Sequence, residues 1–173
     1  MVILSTVLVL SLSGAAQSAT TLAAVKVFEV NVDRQWPADE REPAATGEAL
    51  RLMEVATQSL TDESKLTDPK LRDAISSFRS AREALAARAT TDPQRMGAAR
   101  AALETGVVMI DRLTTALGPP TGMTSERAAL KRAADGLEKN VPLEKQGDVL
   151  ERYFKQAAAI VKSLLDSAAQ RGD

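Results

Sequence analysis

From Thr46 to the end of the chain, apolar residues recur at alternating spacings of three and four. That period places side chains on one stripe of an α-helix, so this part predicts amphipathic helices packed along a shared seam. A first helix over 46–60 shows Leu50, Met53, Ala56 or Thr57, and Leu60. A second over 68–89 aligns Leu71, Ile75, Phe78, Arg82 and Leu85. A third over 92–117 carries Met96, Ala99, Leu103, Gly106, Ile110, Leu113 and Leu117. A shorter fourth over 124–140 puts Leu130, Ala133, Ala134 and Leu137 on one side, and a last over 145–170 runs Leu150, Tyr153 or Phe154, Ala157, Val161, Leu164 and Ala168.

The helix ends have local causes. In Thr67-Asp68-Pro69 and again in Thr91-Asp92-Pro93, an Asp stands ready as N-cap, accepting a backbone N–H. The Pro behind it occupies the first helical position, where a missing donor costs nothing. The motif recurs without any second matching pair of positions, so it reads as one capping solution used twice rather than as a repeat array. Gly118-Pro119-Pro120-Thr121-Gly122 stops the third helix, because neither proline continues it, and Pro142 separates the fourth from the fifth. The short connection between helices two and three calls for an antiparallel hairpin. The fold class expected is therefore all-α, an antiparallel up-and-down bundle of four to five helices.

Ahead of the bundle the pattern changes. Residues 1–25 carry no charge, and 2–12 form a strongly apolar run followed by the small residues of 13–19. An export signal needs an apolar segment of about 7 to 15 residues and small residues at positions −3 and −1; Ala16 and Ser18 meet the second need, which places cleavage after Ser18. No Lys or Arg precedes Lys26, so the positive start typical of such signals is missing. The rival reading is an uncleaved membrane anchor over 2–25, since about 18 or more uncharged residues suffice to span a bilayer. Residues 25–32 partly alternate β-branched and polar side chains, leaving a short strand and an extension of the N-terminal helix both open. The stretch 33–43, with Pro37, Pro43 and several acids, reads as a linker. The organisation expected is a signal over 1–18, an extended segment and linker over 19–45, and a helical domain over 46–173.

Composition narrows the chemistry. The chain has 173 residues, enough for one domain with a real core. Lys plus Arg number 22 against 23 for Asp plus Glu, so no global field favours nucleic acid. There is no Cys, which removes disulfides, thiol nucleophiles and thiolate metal sites, and no His, the commonest general base and metal ligand. Ser-His-Asp and Cys-His constellations cannot be built. Aromatic residues make up 3% of the chain, too few for the stacking platforms that bind sugars or single strands. No cofactor and no metal site is expected.

A few positions stand out as candidate partner or ligand contacts. Arg82 falls on the apolar seam between Phe78 and Leu85, near Arg79 and Arg88; it is free to snorkel, to pair with a buried acid such as Glu104 or Asp111, or to hold an anion between helices. Trp36, the single tryptophan, sits in the expected linker and either docks on its own domain or anchors a partner. Gly106 and Gly136 interrupt helices at a cost of about 1 kcal/mol each relative to Ala, which close helix approach or the floor of a small pocket would explain. Tyr153 and Phe154 read as core plus rim, and Met53, Met96, Met109 and Met123 as core filling. Arg100 with Glu104, Lys131 with Asp135, Asp135 with Lys139, and Glu151 with Lys155 have the spacing of solvated helix pairs.

The function expected from this pattern is a non-enzymatic module, exported to the periplasm or secreted, that binds or scaffolds another protein or shields a client. The alternative is a binder of a small anionic or apolar ligand between helices near Arg82, Phe78 and Gly106. A hydrolase or mutase working without His is the third reading, and membrane contact enters only if the N-terminal segment is uncleaved.

Overall fold

The computed structural model describes residues 4–36, 42–120 and 122–171, with side chains over 19–36, 44–120 and 122–170. It is all-helical, with no strand among the described residues. Among the described residues six α-helices follow one another: α1 (Leu4–Gln35), α2 (Glu42–Glu63), α3 (Pro69–Ala86), α4 (Arg95–Leu117), α5 (Met123–Asp135) and α6 (Gly147–Arg171), with a 3-10 turn at Leu143–Lys145. One cluster of buried apolar side chains draws on all six. The most extensive packing joins α3 to α4, α1 to α2, α5 to α6 and α1 to α6.

The helix beyond the expected four to five is α1. The stretch 25–32 that left strand and helix open is helical, and the extended segment expected over 19–45 is helical to Gln35 and again from Glu42. Thr21, Val25, Phe28 and Val32 are buried at spacings of four, three and four, so this segment carries the same stripe as the rest of the chain. Tertiary burial of that stripe overrides the β-branched preference. Pro43 lies inside the first turn of α2, where a proline is tolerated, instead of fencing off a linker. Residues 37–41, with Pro37, lie outside the described residues, as do the side chains of the expected signal over 1–18, of which the backbone is helical from Leu4.

Three contacts set the position of α1. The Thr21 hydroxyl donates to the Ser59 carbonyl at 3.3 Å, Lys162 Nζ meets Glu29 Oε1 at 3.2 Å, and Trp36 stacks on Phe154. Moving along α1 from Glu29 to Trp36 moves backwards along α6 from Lys162 to Phe154, so the two run in opposite senses. By that register α6 ends beside about residue 20 of α1, and α2 ends beside about residue 17.

The helix boundaries follow the expected capping at one site and depart from it at the other. Asp68 is the N-cap of α3, its carboxylate accepting from the Lys70 N–H at 2.9 Å, with Pro69 in the first turn. Asp92 instead closes a turn: Oδ1 accepts from the Gln94 N–H at 2.7 Å and its carbonyl accepts from the Arg95 N–H at 2.9 Å. The helix α4 therefore begins three residues later than expected, at Arg95. Gly118, at φ 78°, ends α4 in the left-handed region that favours glycine. The helix α5 stops at Asp135, short of the expected 140, because buried Gln146 holds the next loop. Its Oε1 accepts from the Glu138 N–H at 2.7 Å, and its Nε2 donates to the Val141 carbonyl at 2.7 Å and to the Glu138 carbonyl at 3.0 Å.

Candidate functional site

Phe78 and Gly106 meet in the interior, at the contact of α3, α4 and α6. Phe78 has no exposed surface, and the face of Gly106 is covered by Tyr153 from α6 and Met53 from α2. A Cβ at position 106 would collide with Tyr153 Oη and stand 3.0 Å from Met53 Cε and 3.1 Å from Phe78 Cε2. The missing side chain lets the phenol lie against α4, where its hydroxyl donates to the Leu103 carbonyl at 3.0 Å. Burial raises the Tyr153 pKa far above the ordinary phenol value, since no water solvates the phenolate. Tyr153 and Phe154 are both core, with no rim position between them. Gly106 serves close helix approach, and no ligand-sized space remains above it.

One helical turn beyond Phe78, Arg82 has a carboxylate partner, and it is neither Glu104 nor Asp111. Its Nε donates to Glu54 Oε2 at 2.9 Å, while Arg79 Nε donates to Glu54 Oε1 at 2.5 Å. Glu54, on α2, is 8% exposed, so both oxygens of a largely buried carboxylate are held by two guanidinium groups from α3. The clamp favours the charged Arg79, raising its pKa chiefly through the hydrogen bond to Glu54. Asp111 pairs with Arg127 of α5. Nothing in the spacing of α2 singles out Glu54, because the signal is the facing of two helices.

Trp36 is 7% exposed and docks on its own domain, its ring 5.6 Å from that of Phe154 at 23°. Phe154 in turn meets Tyr153 edge-on at 5.2 Å. A chain of aromatic contacts thus joins Trp36 to Gly106 and Phe78 through the core, while Arg82 lies with Glu54 at its margin. Met53, Met109 and Met123 are buried and Met96 packs against the same core. Lys131 with Asp135 and Glu151 with Lys155 form ion pairs at 2.7 Å. Arg100 instead donates to the Leu137 carbonyl at 2.5 Å.

Outside the core, four large apolar side chains among the described residues stand in solvent: Leu22 and Val27 on α1, Val55 on α2 and Val108 on α4. Shallow grooves run between helices. The one between α5 and α6 has a volume of about 310 Å³ and is bordered by Arg132, Arg152 and Gln156 over Ala129, Ala133 and Gly136. A second, of about 520 Å³ between α4 and α5, exposes Val108 beside Asp111, Arg112, Arg127 and Lys131. Among the described residues there is no cluster of three or more His, Cys, Asp or Glu able to hold a metal ion, and no helix long and apolar enough to cross a membrane. The chain matches no protein-family model, no curated protein and no solved structure.

Proposed function

We propose that this chain is an antiparallel helical bundle exported to the cell envelope, where it binds or scaffolds another protein or shields a client, without catalysis. The observation that carries this reading is the two-faced α1. Its inner face, Thr21, Val25, Phe28 and Val32, is core, while Leu22 and Val27 remain 57% and 53% exposed on the outside. Five residues apart, Leu22 and Val27 lie about 140° apart around the helix, so they flank the buried stripe on its two sides and offer a protein partner two separate apolar contacts. The register of α1 supports the export half of the reading. Among the side chains described, the buried stripe of α1 runs from Thr21 to Val32, beyond the expected cleavage after Ser18, as a removable address requires.

The uncleaved anchor is the second reading, favoured by the absence of any helix break between Leu4 and Gln35. A ligand site around Arg82, Phe78 and Gly106 has less support, because Glu54 occupies Arg82 and Tyr153 covers Gly106.

Expression with the native N-terminus in a Gram-negative host, followed by intact mass and fractionation, tests the address. A periplasmic species beginning at Ala19 supports export with cleavage; a full-length species in the membrane fraction favours the anchor; a full-length cytosolic species sinks both. A photo-crosslinking residue placed at Val27 is expected to give a discrete adduct that the same residue at exposed Glu104 does not.

A further inference from the structure

Charge separates the α5–α6 groove from three other grooves among the described residues. The groove between α4 and α5 includes Asp111, the one beside α2 and α3 includes Asp62, and the one at the Thr90–Pro93 turn includes Asp92 and Glu144. The α5–α6 groove is bordered by two arginines and no carboxylate. Five arginines elsewhere have acids: Arg51 pairs with Glu48, Arg79 and Arg82 with Glu54, Arg88 with Asp92, and Arg127 with Asp111, while Arg72 and Arg100 donate to the main-chain carbonyls of Thr67 and Leu137.

Two of the acids near this groove are engaged elsewhere, and the third, Asp148, makes no ion pair with Arg152 among the described residues. Asp135 is paired with Lys131 and Glu151 with Lys155. Asp148 offers Arg152 its main-chain carbonyl, which accepts from Nε at 3.1 Å. That bond ties the Arg152 stem to α6 and leaves both terminal nitrogens free of protein acceptors among the described residues. Arg132, from the last turn of α5, carries no ion pair there. Two like charges at the border of one small groove repel, and at a net charge of −1 no general basicity accounts for them. An oxyanion between them would remove the repulsion and match the planar donor fork of each guanidinium.

The groove also limits ligand size. At about 310 Å³ it lies at the lower end of small-molecule sites, which run from roughly 300 to 1,000 Å³. Ala129, Ala133, Gly136 and Val149 give it an apolar floor with short side chains. We propose that this groove binds a small organic anion, an oxyanion head held by Arg132 and Arg152 with a short apolar body on the alanine and glycine floor. The site stands independently of the export reading.

Calorimetric titration of the full chain with butyl phosphate, butyrate, inorganic phosphate and butanol is the test, alongside anionic phospholipid vesicles. The site predicts saturable binding of butyl phosphate or butyrate, at least tenfold weaker in R132Q and in R152Q, weakened by salt, and none of butanol. A129L, which fills the floor, is expected to lose butyl phosphate and keep inorganic phosphate. In the wild-type chain the Nε–H resonance of Arg152 shifts on titration, a readout that needs no variant. No saturable binding of any soluble anion, binding unchanged in R132Q/R152Q, or binding confined to vesicles would each overturn the proposal.

Discussion

At position 106 a hydrogen in place of a methyl group decides how α4 and α6 meet. Alanine would improve helix propensity by about 1 kcal/mol, yet its Cβ would enter space held by Tyr153 Oη, with Met53 and Phe78 as near neighbours. These are buried side chains in a full core, where overpacking costs about 1 to 3 kcal/mol. Gly106→Ala is expected to be destabilising by about 2 kcal/mol in denaturant unfolding, and Tyr153→Phe in the same chain to recover part of it by removing the colliding oxygen. A Gly106→Ala chain as stable as the parent would show that the contact is not tight. The interruption of the seam at Gly106 was legible in the sequence, since a glycine in a helix interior needs a reason. That the reason was Tyr153, 47 positions along, was not legible, because helix spacing describes one helix and says nothing of the face opposite.

Between elements, the clearest case is the joint of α2 and α3. Arg82 on an apolar stripe signalled a charge in need of a partner, and a buried acid was among the outcomes the sequence allowed. The acid is Glu54, reached from α2, whereas Glu104 and Asp111 lie on α4. Replacing Glu54 by Gln keeps the shape and removes the charge from between two guanidinium groups, of which Arg82 is mostly buried. Hydrogen bonds to charged groups contribute about 1.5 to 3 kcal/mol, and the exposure of Arg79 screens its share. Glu54→Gln is expected to lower stability by roughly 1 to 2 kcal/mol by thermal and denaturant unfolding, with the secondary structure unchanged by circular dichroism. A change of less than the error of the measurement would mean that the arginines find water as good a partner. The same limit explains the two caps. Thr-Asp-Pro is identical at both sites, but the Arg88 pairing and the turn at Asp92 leave that carboxylate outside the helix it was expected to cap.

For the molecule as a whole, α1 determines where the packed domain begins. Deleting 1–18 is expected to leave the unfolding midpoint unchanged, because Thr21 is the first buried residue described. Deleting 1–32 removes Val25, Phe28 and Val32 from the core and is expected to yield a chain that no longer unfolds cooperatively, since burying each such side chain contributes about 1.5 to 3 kcal/mol. Cooperative unfolding of the shorter chain would place α1 outside the stabilising core. The sequence by itself determined the helical class, most helix positions, the stop at Gly118, and the lack of His and Cys side chains. These are local or compositional properties: a period of 3.6, a cap, a missing side-chain type. Tertiary structure alone decided that 19–35 joins the core as helix, that Trp36 lies on Phe154, that Glu54 receives Arg82, and that Arg132 and Arg152 border one groove. Each of these depends on which faces of different helices are brought together, and that is set by packing the whole set of stripes at once.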